Sequence, residues 1–493
     1  MTAQLDPQLN CAPENIHHIH LMGICGTAMA ALAGMLKESG YVVSGSDQNV
    51  YPPMSDFLAQ AGIAVMQGYK PENMEPRPDL VIVGNVIRAI YPEAERLAEL
   101  RIPYLSMPQA LGHFFLRSAI KPLVVAGTHG KTTTSSLLAT VLHRADRSPG
   151  FFIGGIVEAF GSNYRIGTGD CFVIEGDEYD TAFFNKVSKF LHYRPFCAIV
   201  TSIEFDHADI FADLEQIKAS FRQFVRLIPN EGALVACMDD PVVVEIAALC
   251  PGQIISYGTG ANCRWQLRDF AANGLGSTFA AWKDGSLFGA FSLPMPGKHN
   301  ALNALAVIAL LEHLGLSREE IRRGLASFEG VKRRQQVRGE VNGITVIDDF
   351  AHHPTAVRET ISALRLAWPE RRLLVVFEPR TNTSRRAVFQ RDYETAFAGA
   401  DMVVVREILP LDHAAPGDSF SSRQLTAALN GQGIPAEYFP NTDAILAFLL
   451  KQARPGDVIA ILSNGGFDNI HARLLEGLRL VGLTAKSGGN SAP

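Results

Sequence analysis

The stretch Gly-Thr-His-Gly-Lys-Thr-Thr occupies residues 127–133, after the apolar run 122–126 and before the helix-forming segment 134–143. A strand, a glycine loop and a helix in this order aim several backbone N–H groups at one anion, and the helix N-terminus adds partial positive charge. Lys131 would contact the outer phosphates of a nucleotide, and the Thr132 hydroxyl would face a magnesium ion. Val125 stands where the usual eight-residue loop has a glycine, so this loop is a shortened variant. The predicted phosphate site comprises Gly127, Thr128, His129, Gly130, Lys131, Thr132 and Thr133.

The length and composition limit the class of protein. A chain of 493 residues exceeds one hydrophobic core and suggests about three domains. Its 44 basic and 50 acidic residues give a net charge of -6, which offers no general attraction to nucleic acid or to an anionic membrane. The 7 cysteines lack paired metal-ligand spacing, which is typical of a reducing compartment. Because the polar N-terminus lacks an export pattern and no run of about 18 apolar residues occurs, we expect a cytoplasmic protein.

The pattern of short apolar runs along the sequence divides the chain into three units. Short β-branched segments alternate with helical ones in the first and third units, which predicts parallel sheets covered by helices on both faces. We therefore predict an α/β protein with an N-terminal Rossmann-like domain, a central P-loop ATPase-like domain and a C-terminal Rossmann-like domain. The glycine-rich part of the central unit, residues 253–293, predicts a small antiparallel side sheet. The predicted boundaries are a disordered lead 1–15, domains 16–118, 119–336 and 337–484, and a disordered tail 485–493.

A second glycine turn, Gly-Ile-Cys-Gly-Thr at residues 23–27, follows the first predicted strand, and Asp47 lies 21 residues after Gly26. This turn is similar to a dinucleotide-binding turn in which Cys25 replaces the middle glycine. Such a turn places a helix N-terminus against a diphosphate, and an acidic residue at that distance can accept from a ribose or sugar hydroxyl. A tight strand-to-helix turn without any ligand is the alternative.

Two polar clusters follow strands downstream of the phosphate loop. Residues 175–180 read Glu-Gly-Asp-Glu-Tyr-Asp, and the pair Asp206-His207 follows the strand that ends at Thr201. Carboxylates at a strand end beside a phosphate loop suit magnesium, which takes oxygen ligands. His207 could bind a second metal ion. The alternatives are a solvated acidic loop and a structural histidine.

Six motifs in order identify the chain as a member of the Mur ligases, the ATP-dependent amide-bond-forming ligases of peptidoglycan assembly. The resemblance covers roughly residues 16 to 480. The motifs lie at residues 127–133, 175–180, 206–207, 297–303, 333–334 and 348–354.

Within that family, the N-terminal unit is similar to those of ligases acting on UDP-N-acetylmuramate. One activity adds L-alanine during synthesis, and another adds the recycled tripeptide L-Ala-γ-D-Glu-meso-diaminopimelate through an acyl phosphate. The first turn reads Gly-Ile-Cys-Gly-Thr and so differs from the Gly-Gly-Ser-Gly-Met pattern of the alanine ligases. Five stretches are similar to the tripeptide ligases: residues 49–54, 182–193, 349–354, 378–383 and 463–467. The resemblance therefore implies the recycling activity, and alanine addition is the alternative.

The resemblance also implies roles for individual residues. Thr132 and Glu175 would bind one magnesium ion and His207 a second, with Mn²⁺ as a possible substitute. Asn300 and Asn303 would contact adenine, although Asn300 could instead cap a helix. The implied catalytic residues are Lys131, Glu175, His207, Arg334 and His352, and Arg334 and Asp349 join the ATP-binding set.

The two remaining ligands are assigned in the same way. Arginine suits a peptide carboxylate because its planar fork binds both oxygens, although Arg380 could also be an exposed charge at a strand end. Phe221 stands where several relatives carry a carbamylated lysine, so no carbamate is expected. The implied UDP-sugar residues are Gly23, Gly26, Thr27, Asp47, Asn85, His192 and His352. The implied acceptor residues are Arg380, Asn382, Ser463 and Asn464.

The implied partners are small molecules, with no nucleic acid or membrane, and we expect a monomer or a weak homo-oligomer. Closure of the third unit over the second is expected to bring Arg334, Asp349 and Arg380 together. Two other interpretations stay open: a nicotinamide-dependent oxidoreductase that uses the first turn, and an ATP-dependent switch that binds muropeptides without turnover.

Overall fold

The computed structural model describes residues 2–51, 54–408 and 418–487. Each of three domains has its own main sheet, and the domains meet between residues 115 and 121 and between residues 326 and 336; a fourth, two-stranded sheet pairs Asp180–Ala182 with Asn185–Ser188. The α/β class and the three-domain organisation predicted from the sequence are confirmed. No helix within the described ranges is both long and apolar enough to span a bilayer.

The N-terminal domain is a parallel sheet with the strand order β3-β2-β1-β4-β5. The strand β3 has no counterpart among the predicted strands, because it lies at the sheet edge and lacks fully buried residues. Its strands are β1 His18–Met22, β2 Val42–Asp47, β3 Ala64–Gln67, β4 Leu80–Val83 and β5 Tyr104–Ser106, and its helices are α1 Thr27–Glu38, α2 Met54–Gln60, α3 Pro92–Glu99 and α4 Met107–Phe115.

The central domain is built on a sheet with the order β17-β16-β15-β14-β13-β12-β6-β9-β7-β8. The strands are β6 Lys121–Ala126, β7 Gly150–Val157, β8 Ser162–Arg165, β9 Cys171–Gly176, β10 Asp180–Ala182, β11 Asn185–Ser188, β12 Cys197–Val200, β13 Ala233–Cys237, β14 Gln253–Gly258, β15 Trp265–Asn273, β16 Gly276–Lys283 and β17 Ser286–Leu293. The helices are α5 Lys131–Arg144, α6 Leu214–Val225, α7 Pro241–Ala247, α8 Lys298–His313 and α9 Arg318–Ala326.

The antiparallel strands β15, β16 and β17 are not a separate side sheet. They continue the central sheet, because β14 pairs in parallel with the start of β15 through Tyr257 and Trp265. The predicted antiparallel character is present, and the strands differ from the prediction in sharing the main sheet.

The C-terminal domain has the strand order β18-β19-β23-β20-β21-β22, with antiparallel pairing only between β18 and β19. Its strands are β18 Gln336–Val341, β19 Ile344–Asp349, β20 Leu373–Phe377, β21 Met402–Arg406, β22 Ala436–Phe439 and β23 Val458–Leu462. Its helices are α10 Pro354–Ala367, α11 Gln390–Ala396, α12 Ser422–Gly431, α13 Thr442–Gln452 and α14 Ile470–Ser487.

The two terminal segments differ from the prediction of disorder. Residues 2–15 lie against the N-terminal domain, where Asn10 Nδ2 donates to Tyr104 O at 3.0 Å and Arg101 pairs with Asp6 at 2.8 Å. These long-range contacts hold a segment whose composition gave no sign of order. The helix α14 runs to Ser487, and the rest of the predicted tail, residues 488–493, lies outside the described residues.

Candidate active site

The phosphate loop is enclosed on two sides, which explains its glycines. Gly127 and Gly130 have φ angles of +132° and +78°, in the left-handed region that side chains disfavour. A Cβ on Gly127 would lie 2.2 Å from Thr201 Oγ1, and a Cβ on Gly130 would lie 2.8 Å from Asn303 Oδ1. The loop therefore packs between the end of β12 and the start of α8, directly before helix α5. This is the strand, loop and helix arrangement that the sequence predicts.

Lys131 lies in a group of side chains whose opposite charges offset one another. Its ammonium donates to Gly127 O at 2.7 Å and to Glu178 Oε2 at 2.9 Å, and Glu178 also pairs with His207 Nε2 at 3.3 Å. Burial alone would lower the pKa of Lys131, but the charges of Glu178 and Asp177 outweigh it and raise that pKa. Burial would raise the pKa of Glu178, but the charge of Lys131 and the hydrogen bond from His207 lower it to about 2. Lys131 and Glu178 are therefore both charged around neutral pH, and although burial alone would lower the pKa of His207, Glu178 outweighs that effect and raises the pKa.

Thr132 and Glu175 lie together beside this group. The Thr132 hydroxyl donates to Glu175 Oε1 at 2.8 Å, and the Gly154 N–H donates to Glu175 Oε2 at 2.7 Å. Burial and the nearby charge of Asp177 raise the pKa of Glu175. Hydroxyl and carboxylate oxygens are ligands that Mg²⁺ prefers, and a cation here would relieve the crowding of acidic groups, so this pair fits a magnesium ion.

The C-terminal domain reaches this site through the segment around Arg334. The guanidinium of Arg334 donates to Thr132 Oγ1 at 3.0 Å and lies 4.9 Å from the centre of the Phe350 ring. The Gln335 N–H donates to Asp349 Oδ2 at 2.7 Å, and this hydrogen bond holds the segment that carries Arg334 in place. Residues distant in sequence therefore meet at the phosphate loop.

His352 and Asp349 are placed beside that junction. His352 Nδ1 lies 2.9 Å from Phe350 O, and the Tyr393 hydroxyl donates to the carbonyl of His352. Burial lowers the pKa of His352, so the neutral imidazole is favoured. Burial also raises the pKa of Asp349. Both residues lie at the junction, as their predicted roles require.

The two asparagines of α8 differ in their surroundings. Asn300 is buried, and its amide donates to Pro296 O at 2.8 Å and to Gln335 Oε1 at 3.3 Å. The N-cap of α8 is Gly297, so the alternative in which Asn300 caps the helix does not apply. Asn303 lies against Gly130 of the phosphate loop. An adenine contact stays a prediction for both side chains.

The first glycine turn has the predicted strand-to-helix form. Gly23 has a φ of +81°, and Gly26 is the N-cap of α1, which begins at Thr27. Asp47 accepts from the Cys25 N–H at 2.9 Å and from the Asn49 N–H at 2.9 Å, so this carboxylate holds the turn itself. A sugar hydroxyl would have to share an oxygen that already accepts a backbone bond.

The other predicted donor-site residues lie on different elements, and only Asn85 is next to residues that pack on the turn, since a Cβ on Gly23 would lie 3.0 Å from Val86 Cγ2. Asn85 is exposed just after β4. His192 belongs to a short 3-10 helix of the central domain, where a Cβ on Gly112 of α4 would lie 3.2 Å from the His192 carbonyl. Burial lowers the pKa of His192. His192 therefore marks the contact between the N-terminal and central domains.

The predicted acceptor residues do not form one uniform group. Arg380 is exposed and packs on Gly465, where a Cβ would lie 2.4 Å from its side chain. Asn382 reaches the central domain by donating to Asp209 Oδ2 at 2.8 Å. Ser463 is fully buried and its hydroxyl donates to Glu378 Oε2 at 2.5 Å, and a contact with the peptide stays a prediction. Asn464 Oδ1 is a buried acceptor without a hydrogen-bond partner among the described residues.

Comparison with known proteins decides the family. Three family models match successive parts of the chain: the Mur ligase family catalytic domain over residues 18–118, the Mur ligase middle domain over 125–311, and the Mur ligase glutamate ligase domain over 333–465. The UDP-N-acetylmuramate–L-alanyl-γ-D-glutamyl-meso-2,6-diaminoheptandioate ligase of Escherichia coli is 39% identical to this chain, over 93% of this chain and 98% of the relative. The chain belongs to the Mur ligase family. It is accordingly an ATP-dependent, ADP-forming enzyme that makes amide bonds.

Two solved structures of Mur ligases extend this comparison. A murein peptide ligase from Psychrobacter arcticus has a TM-score of 0.70 at 34% identity and covers 94% of this chain and 99% of its own. A UDP-N-acetylmuramate–alanine ligase from Thermotoga maritima has a TM-score of 0.78 at 25% identity and covers 95% and 100%. The higher TM-score goes with the lower identity. The two relatives share one fold, so the fold alone does not separate their activities.

The site of this Mur ligase contains residues that the sequence-based assignment missed. Glu178 links Lys131 to His207, although only its neighbour Glu175 was assigned a role. Glu204 and His353 meet His129 between two domains. The acidic motif 175–180 was a signal for Glu178, whereas nothing in the sequence places Glu204 beside His353. Phe221, at the position of the lysine in other members, is fully buried and packs on Phe190.

Proposed function

We propose that this Mur ligase joins the tripeptide L-Ala-γ-D-Glu-meso-diaminopimelate to UDP-N-acetylmuramate in peptidoglycan recycling, with conversion of ATP to ADP and phosphate. The observation that carries this proposal is the 39% identity, over 93% of the chain, to an Escherichia coli ligase of that name. Sequence identity to solved structures supports it, because this chain is 34% identical to a murein peptide ligase and 25% identical to an alanine ligase.

The reaction needs an activated carboxylate. The lactyl carboxylate of the muramyl sugar attacks the γ-phosphorus of ATP, so that ADP leaves and an acyl phosphate forms. The free amine of the tripeptide then attacks the acyl carbonyl, the C–O bond to phosphate breaks, and the amine loses a proton. Negative charge accumulates between the nucleotide and the sugar carboxylate, so cations fixed at that point lower the barrier.

Lys131 and Arg334 supply fixed positive charge from two domains. Lys131 lies in the phosphate loop with Glu178 as its partner, and Arg334 lies 3.0 Å from the Thr132 hydroxyl. ATP phosphates would compete with Glu178 for the Lys131 ammonium. The carboxylate of Glu178 then keeps its hydrogen bond with His207, so no buried charge is left alone.

We assign Thr132 and Glu175 to one Mg²⁺ ion and His207 to a second, with Mn²⁺ as a substitute. These ions would neutralise charge on the phosphate oxygens. The protein's own contribution is to hold the ligand oxygens in place, since the Gly154 N–H orients Glu175 and Arg334 orients Thr132.

The binding sites follow the three domains. The turn at residues 23–27 with Asp47 and Asn85 reads the uridine diphosphate, His192 and His352 contact the sugar part, and Asn300 and Asn303 contact adenine. Arg380, Asn382 and Asn464 receive the peptide, while Ser463 holds their loop. Since ATP and a nucleotide sugar are the substrates, we place the reaction in the cytoplasm, carried out by a monomer or a weak homo-oligomer.

The deciding experiment measures ADP release with UDP-N-acetylmuramate, ATP and Mg²⁺, with either L-alanine or the tripeptide as acceptor, and identifies the products by mass spectrometry. We expect turnover with the tripeptide. Turnover with alanine alone would replace the proposal with the alanine ligase activity, and it would leave the assignment of the ATP site intact. Binding of ATP and the muropeptide without stoichiometric release of ADP and phosphate would favour the switch hypothesis.

A further inference from the structure

Three side chains from separate parts of the chain meet at the boundary of the central and C-terminal domains. His129 lies in the phosphate loop, Glu204 follows β12, and His353 is the N-cap of α10. His129 Nε2 lies 3.2 Å and His353 Nδ1 lies 3.7 Å from Glu204 Oε2. One nitrogen from each ring and a Glu204 oxygen all lie within 4.8 Å of one another. We call these residues the His129 cluster.

The hydrogen bonds of His353 leave its cluster-facing nitrogen as an acceptor. Its Nε2 lies 3.2 Å from Phe205 O, and a carbonyl can only accept, so Nε2 carries the proton. Its Nδ1 faces the Glu204 carboxylate and accepts a long hydrogen bond from the Thr355 N–H at 3.3 Å, which a bound ion would replace. Two acceptors that face each other are stabilised by a cation between them.

The protonation states agree with this geometry. Burial and the charge of His129 lower the pKa of His353 to about 4, so its ring is neutral at physiological pH. Burial would raise the pKa of Glu204, but the hydrogen bond and charge of His129 lower it to about 2. Neutral His353 and ionised Glu204 are in the forms that bind metal ions, and His129, which donates from Nε2 to Glu204, would release that proton when the ion binds.

The separations also suit a metal centre. Tetrahedral Zn²⁺ with bonds of about 2.0–2.1 Å places its ligand atoms about 3.3 Å apart. The two separations from Glu204 Oε2, 3.2 and 3.7 Å, bracket that value. A histidine ligand usually donates its other N–H to a carbonyl or carboxylate, and His353 does so to Phe205 O. We propose that His129, Glu204 and His353 form a binding site for one divalent transition-metal ion of the zinc class.

This site differs from the predicted magnesium positions in its ligands and its place. Two imidazoles and one carboxylate favour Zn²⁺ over Mg²⁺, which prefers oxygen ligands. The surrounding bonds hold the cluster in place, since Thr355 Oγ1 donates to Glu204 Oε2 at 2.7 Å and Thr128 Oγ1 accepts from the Glu204 N–H at 2.8 Å. A bound ion would connect the phosphate loop to the start of α10. Zinc would therefore stabilise the contact between these two domains.

The test is calorimetric titration of Zn²⁺ into the full-length, nucleotide-free protein in excess Mg²⁺. We expect one Zn²⁺ per chain, and a loss of affinity by more than about 100-fold in His353→Ala, since losing a ligand costs more than losing an outer partner. His313→Ala removes an imidazole at the end of α8, outside the cluster, and should bind zinc like the wild type. His207→Ala should also keep the zinc site, because its target is the predicted magnesium site.

Two further measurements keep the test decisive. Co²⁺ in place of Zn²⁺ should give the intense visible absorption of a tetrahedral ion, and Glu204→Gln should abolish it. If circular dichroism shows that His353→Ala is unfolded, His129→Ala replaces it in the titration. Absence of Zn²⁺ binding, or zinc binding that the cluster variants retain at wild-type affinity, would overturn the proposal.

Discussion

The protein contains two glycine loops with the same local form and different surroundings. One loop joins β1 to α1 through Gly23 and Gly26, and the other joins β6 to α5 through Gly127 and Gly130. In the first loop, Asp47 accepts a hydrogen bond from the backbone N–H of Cys25. The second loop lies beside the ion pair between Lys131 and Glu178. A shared backbone shape can bind phosphate in both places. Only the second adds the fixed charges that phosphoryl transfer needs, so we assign binding to the first and chemistry to the second.

The two loops also differ in the space around them. A Cβ on Gly130 would lie 2.8 Å from Asn303 Oδ1, whereas a Cβ on Gly26 would have only Gly23 O nearby, at 3.6 Å. The loop of the central domain is therefore fixed by its neighbours before any ligand binds. The N-terminal loop is held by Asp47 and by hydrogen bonds to Ser46 O, and it is tightly packed only at Gly23, where a Cβ would lie 3.0 Å from Val86 Cγ2.

The largest effect is expected from Lys131→Ala. Loss of the ammonium removes fixed charge at the phosphates, so kcat/KM for ADP release should fall by about 1000-fold. Calorimetry should show unchanged binding of UDP-N-acetylmuramate, since the first loop is intact. Lys121→Ala is the matched control, because Lys121 lies at the other end of β6 in an exposed pair with Asp170. A loss of donor binding in Lys131→Ala would break the separation of binding from chemistry.

The next effect compares two adjacent arginines. Arg334→Lys should lower kcat by about 100-fold, because lysine cannot both donate to Thr132 and lie over the Phe350 ring. Arg333 donates instead to the carbonyls of Ser463 and Gly465 at 2.6 and 2.7 Å. Arg333→Lys should therefore lower the Tm more than it lowers kcat. Equal kcat losses in the two variants would contradict a special role for Arg334.

A pH effect of intermediate size is expected from His353, which lies where the C-terminal domain meets the loop at residues 127–133. Burial lowers the pKa of His353 to about 4, from an unfolded value of about 6.5, so the unfolded chain binds more protons between these values. Stability should fall as the pH falls, by about 2 kcal/mol between about pH 7 and about pH 5. His353→Asn keeps a helix N-cap and cannot titrate, so urea unfolding should show a shallower pH dependence. The same slope in both proteins would assign the effect to other groups.

The smallest expected effect is a difference in the free energy of unfolding between alanine variants of the two glycine loops. Gly130→Ala should lower the free energy of unfolding by about 1–2 kcal/mol, since φ at Gly130 is +78°. Gly26→Ala should change it by less than about 0.5 kcal/mol, because Gly26 has a φ of -66° and open space. Denaturant unfolding measures both values. A large loss in Gly26→Ala would show that the N-terminal loop is as tightly enclosed as the other.

The sequence predicted much of the architecture, because it depends on local patterns. Apolar runs that alternate with helical segments predict parallel sheets wherever they occur, and the loop at residues 127–133 carries its strand and helix beside it. The strand β3 and the order of residues 2–15 were missed. The first is a partly exposed edge strand, and the second depends on contacts such as that between Asn10 and Tyr104.

The sequence by itself determined the α/β class, the family and the motif residues such as Lys131, because each is encoded in neighbouring positions. The tertiary structure decided which distant residues meet. It placed Glu178 between Lys131 and His207, buried Ser463 against Glu378, and brought Glu204 to His129 and His353 from separate segments. Such contacts follow from the packing of whole sheets and domains, and no local pattern records them.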